Sequence, residues 1–192
     1  MKIAIFASGS GSNAENIAKY FEGSETEIAL ILTNKSNAFV LERAKKLEIE
    51  SVVFDRDQFY QSEEVVNLLQ KHNIDLIVLA GFLWLVPNNL IKAFPNQIIN
   101  IHPALLPNYG GKGMYGNYVH QAVFNNKENE TGITIHYVNE AYDEGAIIAQ
   151  YKTKLDENDT PKTIAEKVHE LEYEYFPKEI EKIALEIRSK NR

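Results

Sequence analysis

The sequence predicts an α/β fold: a Rossmann-like, mostly parallel sheet with flanking helices, completed by a C-terminal antiparallel strand pair and a long final helix. Three observations carry this. Short apolar runs alternate with amphipathic segments of helix length through the first half of the chain. Ile3–Ala7, Ile28–Leu32 and Leu76–Leu79 are apolar throughout, as strands buried on both faces are. After Pro107 the rhythm changes, and two strand-like segments flank a turn.

The elements follow in order. After Ile3–Ala7 comes the loop Ser8-Gly9-Ser10-Gly11-Ser12-Asn13, then a helix over Ala14–Phe21 with Ala14, Ile17, Ala18 and Phe21 at helical spacing. Ile28–Leu32 is the second strand. Ala38–Leu47 is a helix with Phe39, Leu41, Ala44 and Leu47 apolar. Ser51–Phe54 is a strand and Glu63–Lys71 a helix carrying Val65, Val66, Leu68 and Leu69. Leu76–Leu79 and Ile98–Ile101 complete the parallel set. Asn108–Gly116 is glycine-rich and aperiodic, so it reads as a flexible loop. Tyr118–Phe124 is helical. Ile133–Val138 and Ile147–Lys152 are strands joined at Asp143-Glu144-Gly145. Thr160 caps a final helix with Pro161 in its first turn; it runs toward Pro177, with Ile180–Ile187 as its continuation.

Composition narrows the function. With 192 residues, 44% hydrophobic and 24% charged, the chain is expected to fold as a single domain over residues 1–192. The absence of cysteine excludes disulfides, thiolate metal sites and a cysteine nucleophile. Asp and Glu number 27 against 20 Lys and Arg, a net charge of −7, which argues against nucleic acid as the main partner. The N-terminal apolar run is too short for a signal peptide, and Ile74–Val86 carries Asp75 and falls short of a membrane span. A cytoplasmic protein with no membrane partner is expected. The sequons at Asn34 and Asn129 are set aside on the same ground.

In parallel sheets ligands bind beyond the strand C-termini, here at Ser8–Asn13, Ala80–Val86 and Asn100–Gly113. The Gly/Ser loop opens a helix and suits an anion such as a phosphate monoester; a tight turn with a capped helix explains it equally. A dinucleotide is rejected, because Thr33-Asn34-Lys35 lacks the acid that ribose hydroxyls require. Asn100 and His102 lie two apart on a strand and so share a face. Together they can hold a carbonyl oxygen; a hydrogen-bonded core pair is the alternative. His72 is expected to be solvated, His136 a buried packing residue near the site, and His120 and His169 surface residues. No histidine pair has metal-ligand spacing, so no metal is expected. Asp143 lies in an acidic turn that is either simply solvated or turned back toward His102, where it would raise the imidazole pKa.

Taken together, Ser8–Asn13, Thr33-Asn34-Lys35, Leu79-Ala80-Gly81-Phe82, Asn100–Pro107, Thr131–Thr134 with His136, and Asp143-Glu144-Gly145 give the chain a resemblance to the phosphoribosylglycinamide formyltransferases of the folate-dependent formyltransferase superfamily. The resemblance implies formyl transfer from 10-formyltetrahydrofolate to the amine of 5'-phosphoribosylglycinamide. It implies Asn100 and His102 as oxyanion stabilisers, with Asp143 keeping His102 charged and moving protons. It implies Gly11, Ser12 and Asn13 at the phosphate and Glu172 at the ribonucleotide. Leu83, Trp84, Leu85, Val86 and Val138 to Asp143 would line the folate pocket. A monomer or homodimer acting on small molecules is expected.

The chain also departs from the family pattern. Gln61-Ser62 lacks the arginine often found ahead of the third helix, leaving Arg56, Lys35 and Lys112 as possible substitutes. Trp84 replaces an arginine beside the pterin, and His169 a late glutamine. The turn reads Asp-Glu-Gly-Ala rather than Asp-Gly-Gly-Pro. The competing readings are a formyltransferase for amino sugars or charged tRNA, a formyl-folate hydrolase, and a non-catalytic phosphate-binding module. The first typically lacks this Gly/Ser/Asn loop, and the hydrolase carries an additional N-terminal domain.

Overall fold

The computed structural model describes residues 1–190. Its strands are β1 (Lys2–Phe6), β2 (Glu27–Thr33), β3 (Ser51–Val53), β4 (Leu76–Leu79), β5 (Ile98–His102), β6 (Glu130–Tyr137) and β7 (Ile147–Lys154). They form one sheet in the order β3-β2-β1-β4-β5-β6-β7. The pairs from β3 to β5 are parallel, and β6 and β7 are added antiparallel. The helices are α1 (Ser12–Tyr20), α2 (Val40–Lys46), α3 (Arg56–Tyr60), α4 (Glu64–Lys71), α5 (Asn88–Ala93), α6 (Asn117–Asn125) and α7 (Pro161–Lys190). The sequence reading did not anticipate α3 or α5, each too short to show a helical period. Among the described residues no helix is long and apolar enough to cross a membrane.

Alternation along each strand divides the core in two. Ile3 and Ile5 on β1 and Val78 on β4 face Ile17 of α1, Val40 of α2, and Phe176 and Ile180 of α7. Ala4, Phe6, Ile77 and Leu79 face the other way, onto Phe59 of α3, Val66 and Leu69 of α4, and Leu90 of α5. Both faces are covered, which is why these strands carry no polar alternation.

Helix α7 passes through Pro177 without ending. A proline there costs about 3 kcal/mol and leaves the carbonyl four residues back without its donor. That carbonyl belongs to Tyr173, and it accepts a hydrogen bond from Asn16 Nδ2 at 3.0 Å. Phe176, Ile180 and Ile183 are buried around the proline. At roughly 1.5–3 kcal/mol each, their burial outweighs the proline.

Strand order reverses between β1 and β4, where crossovers leave in opposite directions and a crevice opens at the strand C-termini. The loops after β1, β4 and β5 converge there. Ser8 ties the loops after β1, β2 and β4 together: its hydroxyl donates to Asn34 Oδ1 at 2.7 Å and accepts the Leu83 N–H at 3.0 Å.

Candidate active site

The crevice has a volume of about 620 Å³, within the range of small-molecule sites. One end is the loop after β1. Gly11 adopts a left-handed φ of 70°, and a Cβ there would run into Val40. The loop's carbonyls are drawn away from the crevice: Gly9 O accepts from Val40 N at 3.1 Å, and Ser10 O from Arg43 Nε at 2.9 Å. Arg43 is itself ion-paired with Glu15. Helix α1 has no side-chain cap, so its first-turn N–H groups have no side-chain partner. Ser12 and Asn13 line the crevice, whereas Gly11 lies behind it and shapes the turn.

Asn13 also reaches across to α7. Its Nδ2 donates to Glu172 Oε2 at 2.9 Å, and His169 Nδ1 meets the same oxygen at 2.8 Å. Glu172 is buried, and its hydrogen bond raises the His169 pKa. Glu172 Oε1 makes no hydrogen bond to the described residues.

The middle of the crevice holds Asn100 and His102, on one face of β5 as their spacing predicts. Asn100 is paired in register with His136 of β6, and its Nδ2 lies 3.1 Å from His136 Nε2. His136 Nδ1 faces the Tyr137 carbonyl at 2.8 Å and so carries a proton. In the neutral ring Nε2 is then an acceptor, which orients the Asn100 amide and leaves its second N–H uncommitted. His136 therefore belongs to the site, where the sequence reading had only a packing residue near it.

His102 Nε2 lies 2.7 Å from the Tyr109 carbonyl and Nδ1 lies 3.4 Å from Asp143 Oδ2. Asp143 thus turns inward. Its Oδ2 accepts the Gly111 N–H at 3.0 Å, and Oδ1 lies 3.6 Å from His136 Nε2. Burial pushes the Asp143 carboxyl up, but His136, His102 and the Gly111 N–H together hold it below the usual carboxylate value. For His102 the balance is reversed. Burial lowers its pKa, and the upward pull of Asp143 and the Tyr109 carbonyl does not restore it. Asp143 thus pulls the imidazole pKa up, as its inward turn leads one to expect, while the depth of burial pulls it down.

The strand end is braced from β6 and β7. Thr134 Oγ1 donates to the Ala104 carbonyl at 2.7 Å and accepts the Leu106 N–H at 2.9 Å; Gln150 bonds both Leu106 O and Thr134. Gly132 is required beside it, since a Cβ would strike Leu105 and the Tyr151 carbonyl.

The other end of the crevice is apolar, formed by Leu83, Trp84, Leu85, Val86 and Val138. The Trp84 ring packs at 5.8–6.1 Å from Tyr60, Phe59 and Phe54. The Tyr60 hydroxyl donates to the Leu85 carbonyl at 2.9 Å. Arg56 lies over the Trp84 and Tyr60 rings, at 5.4 and 5.5 Å from their centroids. Of the three candidate cations, Lys112 lines the crevice, Arg56 backs its apolar end, and Lys35 is exposed.

The site residues expected from the sequence line the crevice except Gly11 and, within the Val138 to Asp143 segment, Asn139 and Glu140. Three were missed: Arg43, His136 as a partner of Asn100, and His120. His120 is 3% exposed and faces the crevice, against the expectation of a surface position. His72 is half-buried, with Nδ1 2.8 Å from the Leu68 carbonyl. Among the described residues no group of three metal-ligating side chains comes together.

Comparison with known proteins gives a consistent result. A sequence model of the formyl transferase family matches residues 1–180. The chain is 41% identical over 182 residues to the chloroplastic phosphoribosylglycinamide formyltransferase of Arabidopsis thaliana, covering 91% of this chain and 62% of that protein. It thus spans less than two thirds of that relative's length. It is 37% identical over 188 residues to the phosphoribosylglycinamide formyltransferase of Bacillus subtilis, covering 95% of this chain and 94% of that protein. The crystal structure of the phosphoribosylglycinamide formyltransferase from Bacillus halodurans superposes with a TM-score of 0.86 at 38% identity, covering 95% of each chain.

Proposed function

The chain belongs to the formyl transferase family, in its phosphoribosylglycinamide formyltransferase branch, and we propose that it transfers a formyl group from 10-formyltetrahydrofolate to the amine of 5'-phosphoribosylglycinamide. The product is the N-formyl compound of de novo purine synthesis, made in the cytoplasm. Residues 1–192 act as one formyltransferase domain in this reading. The observation that carries it is that Asn100, His102 and Asp143 share one crevice with the uncapped start of α1 and an apolar wall. The two ends match two different substrates.

The phosphate of the ribonucleotide takes the open N–H groups of α1 at Ser12 and Asn13, with Lys112 as the nearby cation. The ribose takes the free oxygen of Glu172. The flat, largely apolar folate ring lies along Leu83, Trp84, Leu85, Val86 and Val138, ending at Asp143. Its formyl group then reaches the Asn100 amide.

The amine nitrogen attacks the formyl carbon, a new C–N bond forms, and the bond from the formyl carbon to folate N10 breaks. The amine loses a proton and N10 gains one. Negative charge develops on the formyl oxygen. The uncommitted Asn100 N–H is the donor already in place, and one such donor contributes about 10²–10³ in rate. His102 joins by exchanging the Tyr109 carbonyl for the formyl oxygen at Nε2. Asp143, held ionised, accepts the amine proton and returns it toward N10 through water.

The test is initial-rate transfer from 10-formyltetrahydrofolate, with and without 5'-phosphoribosylglycinamide. Transfer that requires the acceptor is expected. Formate release without acceptor, or no reaction with it, would overturn the reading.

A further inference from the structure

His120 is the one imidazole lining the crevice whose ring nitrogens both lack a protein partner among the described residues. His102 is committed to Tyr109 O and Asp143, His136 to Tyr137 O and Asn100, and His169 to Glu172 through Nδ1. The two nitrogens of His120 are not equivalent. Nδ1 is fully buried in the wall without a hydrogen bond. Nε2 is neither bonded nor sealed off, and the residue lines the crevice, so Nε2 opens onto it. A buried polar side chain left in this state is costly unless a ligand completes it.

The tautomer follows from the same asymmetry. A proton on Nδ1 would be an N–H sealed in the wall with no acceptor. A proton on Nε2 leaves Nδ1 a bare lone pair and turns the donor toward the crevice. Burial lowers the His120 pKa, which favours this neutral form.

The position along the crevice selects the substrate atom. The titratable groups near enough to act on His120 are His169, Glu172 and His102, and all four line the crevice. His102 marks the reacting amine and Glu172 the ribose. In a glycinamide ribonucleotide the group between ribose and amine is an amide, and its carbonyl oxygen needs a donor. We propose that His120 Nε2–H donates to this glycinamide carbonyl oxygen, fixing the reach of the amine toward the formyl carbon. This rests on the transferase reading above. His120 would then discriminate among acceptors by the amide they carry, a task for which a neutral donor is suited.

The experiment compares the wild type with His120→Phe, which keeps a flat ring without a donor, and His120→Gln, whose Nε2 restores one. Steady-state constants are measured for both substrates, and melting curves confirm folding. His120→Phe is expected to raise the KM for 5'-phosphoribosylglycinamide about fivefold to tenfold, with a severalfold fall in kcat. The KM for 10-formyltetrahydrofolate stays unchanged, and His120→Gln recovers most of the loss. If His120→Phe does not fold, His120→Leu against His120→Gln makes the same comparison. Wild-type transfer with an unaffected non-donor variant overturns this assignment alone. So does an equal rise in both KM values that Gln fails to rescue, which marks a space-filling role. No transfer by the wild type overturns the transferase reading and the assignment with it.

Discussion

Asp143 meets His102 at 3.4 Å from a backbone turned left-handed, with φ of 57°. That conformation costs a non-glycine residue roughly 1–2 kcal/mol. It is held by the Gly111 N–H, which donates to one carboxylate oxygen, while the other oxygen lies 3.6 Å from the His136 ring. Gly110 allows the approach, since a Cβ there would meet the Asp143 Cβ at 3.3 Å and Leu106 more closely still. A carboxylate kept ionised beside a buried, weakly basic imidazole is suited to taking a proton in one step and returning it in the next.

Replacing Asp143 with Asn keeps the shape and removes the charge. Turnover is expected to fall about a hundredfold or more, while the dissociation constant for 5'-phosphoribosylglycinamide changes no more than severalfold. Parallel steady-state kinetics and calorimetry measure both. Comparable losses in the two would assign Asp143 to binding instead.

Stability should decline as the solution is acidified below neutrality. Burial lowers the pKa of His102 and of His120. In the unfolded chain each takes up a proton near the ordinary value of about 6.5, whereas the folded chain takes it up only at lower pH. Over that interval the unfolded state holds more protons, so stability is present above the ordinary value and is lost as pH falls toward the folded one. His169 acts oppositely: its raised pKa adds stability below the ordinary value that is lost as pH rises through the folded one. It is half exposed, so its contribution is screened. Urea midpoints should fall between about pH 7.5 and pH 5.5, with a flatter profile for His120→Gln. A wild-type midpoint that is constant over this range would contradict the argument.

Gly11 supplies a turn rather than a ligand contact. Gly11→Ala must hold φ near 70° and place a methyl group against Val40. A loss of at least about 1 kcal/mol in unfolding free energy is expected, accompanied by a higher KM for the ribonucleotide as the start of α1 shifts. A urea midpoint equal to that of the wild type would rule this out.

Trp84 should act on one substrate only. Trp84→Ala removes a ring from the apolar wall and the surface on which Arg56 lies. The KM for 10-formyltetrahydrofolate should rise about fivefold to tenfold, with the ribonucleotide KM within about twofold. Equal changes in both would place Trp84 in general packing.

Much of this was legible in the sequence, for identifiable reasons. Strands β1, β2 and β4 are buried on both faces, so their runs are apolar without interruption. Asn100 and His102 stand out because a polar residue in such a strand is conspicuous and a spacing of two fixes their face. Helices α3 and α5 were not legible, since five or six residues carry no full period. Pro177 left α7 uncertain because its compensation, Asn16, lies in a different helix. His120 and His136 were missed because their roles depend on which element packs opposite, which sequence spacing does not encode. The pull of Asp143 on His102 was legible because a carboxylate neighbour can be guessed from a motif, whereas the opposing effect of burial was not, since its depth cannot.

The central claim is that the residues converging at the end of β5 act on the reaction rather than on substrate binding. The most direct measurement is kcat for His102→Ala alongside its dissociation constant for 5'-phosphoribosylglycinamide. The account predicts a fall in kcat of about a hundredfold or more with nucleotide binding nearly unchanged. Full activity in His102→Ala would contradict it.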